Sequence, residues 1–347
     1  MKKLLKGCEN MPNIMLTYKC NLKCSYCFAN EFVNKSNTDI SLENFDKAVE
    51  FMTQSGATSI GLIGGEPTIH PQFKDIMRRL IMNKKIQDIT VYTNGIVLDR
   101  YFNELVNPKV RILINCNAPE IIGENAYNKI MNNIDTLINA YYMKDRINVG
   151  INLYSNEMDY SYIIELLKRF ELHRVRMSVT VPDFSRCGKV AVLEYFKSRK
   201  KFLLEFFAKM DEIQVLPYYD CNKPPYCVWE EDEKRWIESY VSKYPVSESN
   251  LVGNCSQCFP VIDILPDLKA VRCFGMSDYE KVDISDFKSI TDIASYFMNQ
   301  IDTHVYKIST DDQCRDCYER KSRHCTAGCI GFKAKEITKC NEFYESF

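Results

Sequence analysis

Between residues 13 and 181 short apolar runs alternate with stretches of helical periodicity, and this alternation restricts the folds open to the chain more than any other feature. Strands are expected at Asn13–Tyr18, Ser59–Ile63, Asp88–Thr93, Val110–Cys116, Asn148–Leu153 and Arg174–Val181. Helices are expected between them. Leu42–Gln54 spaces Leu42, Phe45, Val49 and Met52 along one face, with Ser41 placed to cap it. Gln72–Met82, Leu98–Val106, Ala126–Tyr142 and Tyr160–Phe170 follow the same rule. Strands separated by crossover helices imply a parallel sheet, hence an α/β fold. Six such units make a partial (β/α)6 TIM-like barrel rather than a closed eight-fold one.

Ligands of parallel α/β folds bind at the carboxyl ends of the strands, and here each local motif falls at such an end. Cys20, Cys24 and Cys27 follow the first strand, and Gly64-Gly65-Glu66-Pro67 the second. Thr93-Asn94-Gly95 follows the third and Asn115-Cys116-Asn117 the fourth. One pocket would collect all four. The cysteine spacing brings three thiolates round one side of a loop. Three thiolates can hold three irons of a [4Fe–4S] cube and leave the fourth open, whereas clusters kept for electron transfer usually have four cysteine ligands. Zinc in a structural site normally takes four ligands, and no local fourth is in view. Gly64-Gly65 permits close backbone approach or positive φ, and Glu66 offers an acceptor for a cationic group. His70 is placed to cap the helix that begins near Pro71.

Composition narrows the setting. The chain has 347 residues with 45 basic and 46 acidic side chains, a formal charge of -1 that gives no electrostatic reason to expect nucleic acid or an anionic membrane as partner. The basic start is followed by no hydrophobic stretch of signal-peptide length, and no run approaches a membrane span, so a cytoplasmic location is expected. In a reducing compartment the 16 cysteines are expected to bind metal or do redox chemistry rather than form disulfides. Eight of them, Cys255, Cys258, Cys273, Cys314, Cys317, Cys325, Cys329 and Cys340, form a C-terminal series, enough for two four-ligand sites. Two zincs fit that count as well as two clusters do. Cys8, Cys116, Cys187, Cys221 and Cys227 are scattered, and a free cysteine is often only a small buried apolar residue.

Cys20/Cys24/Cys27 after a first strand, with Gly64-Gly65-Glu66-Pro67 after a second, resembles the radical S-adenosylmethionine superfamily. The resemblance implies a [4Fe–4S] cluster on those cysteines whose free iron chelates S-adenosylmethionine, and reductive cleavage of that cofactor to a 5′-deoxyadenosyl radical. It implies that Phe28 lies near the adenine and that Gly64, Gly65 and Glu66 contact the methionine moiety. Asn115 and Asn152 are the implied contacts to ribose and carboxylate. The late cysteines resemble the SPASM extension, which carries two auxiliary [4Fe–4S] clusters. Carried over, Cys255, Cys258, Cys273 and Cys329 bind the first, and Cys314, Cys317, Cys325 and Cys340 the second. The seven-residue gap between Cys317 and Cys325 is longer than that pattern's usual five. A Pro266–Lys269 turn replaces the glycine usual before the Cys273 position. Expected domains are a radical partial barrel at 1–185, a bridging region at 186–249, where Pro217, Pro224, Pro225 and Pro245 break regular structure, and a C-terminal cysteine-rich auxiliary-cluster domain at 250–347.

The expected activity is that of a maturase of a ribosomally made peptide, forming a crosslink, an oxidation or an epimerised residue. Alternatives are oxidation of a sulfatase-type protein, dehydrogenation of a small alcohol, and a non-catalytic iron–sulfur electron carrier. Phe274 and Gly275 stand after Cys273, where sulfatase maturases commonly carry an Asp. The 19 residues before Cys20 are too few for a winged leader-binding domain, which implies recognition by the later regions or by a separate leader-binding protein. A flavodoxin or ferredoxin-type protein is the expected electron donor. Cys187, Cys221 and Cys227 are candidate thiol hydrogen donors to a substrate radical.

Overall fold

The computed structural model describes residues 11–27, 29, 33–36, 38–181, 190–244, 251, 258–277, 279–307 and 311–338. The chain divides into two compact units, Met1–Val149 with Phe259–Asn299 and Gly150–Cys258 with Gln300–Phe347. Each takes two stretches of sequence, whereas the expected boundaries at 185 and 249 are successive. Among the described residues there are ten strands: β1 (Asn13–Met15), β2 (Ser59–Ile63), β3 (Asp88–Thr93), β4 (Val110–Asn115), β5 (Ile147–Leu153), β6 (Arg174–Val179), β7 (Leu216–Cys221), β8 (Asp263–Ile264), β9 (Lys269–Val271) and β10 (Val282–Asp283).

In the first unit β1, β2, β3 and β4 lie side by side, all parallel, with Ile14 opposite Leu62 and Val91 opposite both Leu62 and Ile112. Ile14, Met15, Ile60, Leu62, Ile89, Val91 and Ile114 of these strands are buried, while β3 alternates buried and half-buried positions. Helix α1 (Leu42–Gln54) starts where the Ser41 hydroxyl accepts from the Asn44 amide at 3.1 Å. It buries Phe45, Ala48, Val49 and Met52, the stripe that its sequence spacing requires. Helix α2 (Phe73–Met82) buries Phe73, Ile76, Met77 and Leu80 in the same way. The helix expected over Leu98–Val106 is instead two short turns, Leu98–Arg100 and Phe102–Leu105.

On the free side of β1 the late segment adds β8, parallel to β1, then β9 and β10, each antiparallel to its neighbour. The β8–β9 hairpin turns with Leu265 N donating to Lys269 O at 2.8 Å and with Leu268 at a φ of 65°. The hairpin packs Leu265 and Val271 on Met15, with Tyr18, Ile63 and Phe274 around them.

In the second unit β6 and β7 run parallel. Pro217, expected to break regular structure, sits within β7 opposite Val175. It is tolerated because β7 ends the strand order, so a missing N–H costs no ladder bond there. The long helix Val192–Glu212 buries Phe196, Phe202, Phe206 and Phe207, and the Phe207 ring lies 6.1 Å from Trp229. The acidic run Glu230–Glu233 opens the helix Glu231–Ser242 through a capping box between Glu230 and Glu233. Lys200 pairs with Glu233 at 3.1 Å and Lys234 with Glu231 at 2.6 Å, so these carboxylates have partners within the chain. Among the described residues no helix is long and apolar enough to cross a membrane.

Candidate active site

The carboxyl ends of β1, β2, β3 and β4 are tied to one another by hydrogen bonds, and the cysteine loop is part of the knot. The chain leaves β1 through Thr17–Lys19, and the segment after β2 lies directly against it. Gly65 N donates to Thr17 O and Glu66 N to Lys19 O, each at 2.8 Å. A Cβ on Gly65 would stand 2.2 Å from Lys19 O and 2.6 Å from its carbonyl carbon. The two glycines therefore serve close approach. Neither has positive φ, the other use open to them.

Glu66 is 1% exposed and its carboxylate faces inward. Oε1 accepts from Thr68 N at 3.1 Å, from the Thr68 hydroxyl at 2.5 Å and from the Thr93 hydroxyl at 2.7 Å. Oε2 accepts from Asn94 N at 2.7 Å. Burial raises this carboxyl's pKa, against the pull of its Thr68, Asn94 and Thr93 hydrogen bonds. As placed, the carboxylate clasps the end of β2 to the end of β3. Asn94 carries the link onward, its Nδ2 donating to Asn21 Oδ1 at 2.7 Å. On the far side of the loop the Tyr26 hydroxyl donates to Asn117 Oδ1, beyond the end of β4. Asn34, at a φ of 60°, accepts from Cys20 N at 2.7 Å and so fixes the first cysteine.

The three thiols are half-exposed. Burial pushes Cys20 up to about 12; an amide hydrogen bond from Leu22 opposes this, and Glu66, Cys24 and Cys27 add to it. Burial also raises Cys24, with Cys27 beside it and a Tyr26 hydrogen bond pulling the other way. Iron binding displaces those protons. Among the described residues no three Cys, His, Asp or Glu side chains converge on a point suited to a single metal ion. A cube asks for a different arrangement, one thiolate on each iron, and three half-exposed thiols on one loop can supply it.

His70 is 2% exposed, with Nδ1 accepting from Gln72 N at 3.1 Å and Nε2 facing Ile40 O at 3.0 Å. The ring is thus a neutral tautomer with its proton on Nε2, capping the approach to α2. Burial lowers its pKa, opposed by the Ile40 carbonyl and by Asp39. An unfolded histidine titrates near 6.5. Below that pH the unfolded chain takes up a proton that the folded ring resists, so stability falls as pH falls and is fully present above it. The expected slope is up to about 1.4 kcal/mol per pH unit. Thermal unfolding of the metal-free chain between pH 7.5 and 5.5 should show this loss, and His70→Gln should flatten it; equal slopes would refute the assignment.

The remaining candidates are dispersed. Phe28, Cys187, Cys255 and Cys340 lie outside the described residues. Asn115 is half-buried at the end of β4. Asn152 belongs to the second unit, where its Oδ1 accepts from Arg176 at 3.0 Å and Ser178 at 2.8 Å. Arg176 also reaches Asp220 Oδ2 at 2.9 Å. Cys273 falls in the first unit, directly after β9, and Cys258 and Cys329 in the second. Cys314, Cys317 and Cys325 are all in the second unit. Asn94 and Asn117 belong to the strand-end motifs Thr93-Asn94-Gly95 and Asn115-Cys116-Asn117 named in the sequence, whereas Asn21, Tyr26 and Asn34 were not singled out and carried no signal there.

Parallel strands whose carboxyl ends grip a three-cysteine loop define a class of α/β enzyme domain. Residues 14–168 match the radical SAM superfamily model. The chain is 28% identical over 164 residues to the molybdenum cofactor biosynthesis protein moc-5 of Caenorhabditis elegans, covering 45% of this chain and 27% of the relative. It is 29% identical over 168 residues to the GTP 3′,8-cyclase of Synechocystis, covering 46% of this chain and 50% of that one. The chain thus spans half or less of the length of these two relatives. In fold it is similar to SuiB of Streptococcus suis solved with S-adenosylmethionine, with a TM-score of 0.57, 13% identity, and coverage of 94% of this chain and 75% of that one. SuiB has also been solved bound to its precursor peptide SuiA, and that structure matches with the same TM-score of 0.57.

Proposed function

We propose that the chain is a radical S-adenosylmethionine enzyme acting on a peptide or protein. Cys20, Cys24 and Cys27 would hold three irons of a [4Fe–4S] cluster, leaving the fourth for the amino and carboxylate groups of the cofactor. Once bound, the pair supplies reductive cleavage to a 5′-deoxyadenosyl radical that takes a hydrogen atom from the substrate. The observation that carries the reading is the bonding of four strand ends around the Cys20–Cys27 loop. The chain's own part is positional. Gly64 and Gly65 let two backbones touch, Glu66 clasps β2 to β3, and the Asn94–Asn21 and Tyr26–Asn117 bonds hold the loop from two sides. Phe28, Asn115 and Asn152 are the proposed contacts to adenine, ribose and carboxylate. The C-terminal cysteines are proposed to hold two auxiliary clusters, for a total of three, and an external flavodoxin or ferredoxin is the proposed electron source.

The peptide substrate is inferred from the likeness to SuiB across 94% of the chain, together with the late cysteine series. A second reading, a nucleotide substrate, is favoured by the sequence relatives named as GTP 3′,8-cyclases. Those matches cover 46% and 42% of the chain, a length close to that of the radical domain alone. Anaerobic enzyme should be given reductant, S-adenosylmethionine, and either GTP or short peptides encoded beside its gene. We expect peptide to stimulate 5′-deoxyadenosine formation and to lose a pair of hydrogens, or to gain solvent deuterium at one carbon. Conversion of GTP with no peptide stimulating turnover would replace the first reading by the second.

A further inference from the structure

We infer that Asp220 is a substrate-binding residue whose outward carboxylate oxygen accepts an amide N–H from a peptide backbone, an assignment that rests on the peptide reading above. The residues that carry it all lie in the second unit.

Strands of a parallel α/β sheet are usually apolar on both faces. One face of β5, β6 and β7 follows that rule, with Ile151, Leu153, Val175, Met177, Val179 and Tyr219 buried. The other face does not. Near the carboxyl ends of the strands it carries Asn152, Arg176, Ser178 and Asp220, joined by hydrogen bonds. Arg176, 9% exposed, spans the set. Its Nη1 donates to Asn152 Oδ1 at 3.0 Å, and its Nε and Nη2 donate to Asp220 Oδ2 at 3.1 and 2.9 Å.

The pairing of β6 with β7 slips at this point. Met177 lies opposite Tyr219 but Ser178 opposite Cys221, so Asp220 is an extra residue in its strand. A bulge of this kind re-aims a side chain. Here it brings the Asp220 carboxylate onto the Arg176 guanidinium and still leaves the side chain 44% exposed. Both bonds fall on Oδ2, and among the described residues none reaches Oδ1. Two residues on, Asn222 has a φ of 52°, and its Nδ2 donates to Val179 O at 2.6 Å. Its Oδ1 is buried and accepts no hydrogen bond among the described residues. Buried acceptors are rarely left unpaired, so a second such oxygen just past Asp220 points to donors that arrive with a ligand. The charge of Asp220 is already met by Arg176, which suits a neutral donor better than a second cation. Phosphate oxygens are acceptors and do not suit it at all. A peptide backbone supplies neutral N–H donors.

The test uses the full, cluster-loaded chain and the peptide that most stimulates 5′-deoxyadenosine formation in the experiment above, together with copies of it methylated at one backbone nitrogen at a time. Methylation at one position should raise KM about ten-fold or more, because hydrogen bonds to charged groups are the strong ones. Asp220→Asn should raise KM for the unmethylated peptide by a similar factor, the effect falling on KM rather than kcat, and should erase the penalty of that methyl group. The amide oxygen of this variant must face Arg176, which turns its NH2 outward and sets donor against donor. The bonds to Arg176 survive, so an aspartate that only ties β6 to β7 would leave KM unchanged. The methylated series on the wild-type protein decides the matter even where the variant fails to fold. An unchanged KM in Asp220→Asn, or a flat methylated series, would overturn the assignment and leave the peptide reading standing. So would a rise in KM confined to peptides whose Lys or Arg is replaced by Gln, which would make Asp220 the partner of a cation. If no peptide stimulates turnover, the peptide reading falls and this assignment with it.

Discussion

Gly65→Ala is expected to strip the Cys20–Cys27 loop of its cluster and to abolish 5′-deoxyadenosine formation, with a loss of stability of about 3 kcal/mol. The new Cβ would meet Lys19 O at 2.2 Å and Tyr18 O at 3.0 Å. Both are backbone atoms and cannot swing aside as a side chain can. Relief requires the Thr17–Lys19 segment to move off, which breaks the Glu66 N to Lys19 O bond and displaces Cys20, the next residue. Gly64→Ala sets a graded comparison. Its Cβ would meet Thr17 O at 2.8 Å and Thr17 N at 3.4 Å, a smaller overlap, so part of the iron should be retained. Iron and sulfide content with thermal unfolding would check the pair. Wild-type iron in Gly65→Ala would show that the close approach does not position the loop.

The strands and most of the helices were legible because parallel α/β elements are written in local pattern. Ser59–Ile63, Asp88–Thr93 and Leu42–Gln54 have the observed bounds, since apolar periodicity and the Ser41 cap are properties of consecutive residues. The positions of Cys20, Glu66, Asn94 and Asn117 at strand ends were legible for the same reason. What each side chain bonds to was not. Glu66 reads only as an acceptor, and its partners Thr68, Thr93 and Asn94 present four donors that only the folded β2 and β3 bring together. Pro217 reads as a breaker because sequence does not say which strand is at an edge.

Glu66→Gln is expected to lower stability by about 2 kcal/mol and to weaken iron retention, although it keeps the size of the side chain. Each carboxylate oxygen faces a backbone N–H that can only donate, Thr68 N on Oε1 and Asn94 N on Oε2. An amide offers one oxygen and one NH2 group, so whichever way it turns a donor meets a donor. The Thr68 and Thr93 hydroxyls can rotate to accept, but the two amides cannot. The unpaired amide is buried, where an unsatisfied polar group is costly. If Asn94 N is the orphan, the turn after β3 shifts and its bond to Asn21, in the cysteine loop, goes with it. The wild-type carboxyl also carries a pH signature. Burial holds its folded pKa above the unfolded value near 4.3, so the stability it contributes is greatest in acid and falls as pH rises through that window. Glu66→Gln removes this slope while leaving the opposite one, from His70, in place. Unfolding curves across pH 4 to 7.5 would separate the two residues, and a variant as stable as wild type at neutral pH would mean that the clasp between β2 and β3 does not need a carboxylate.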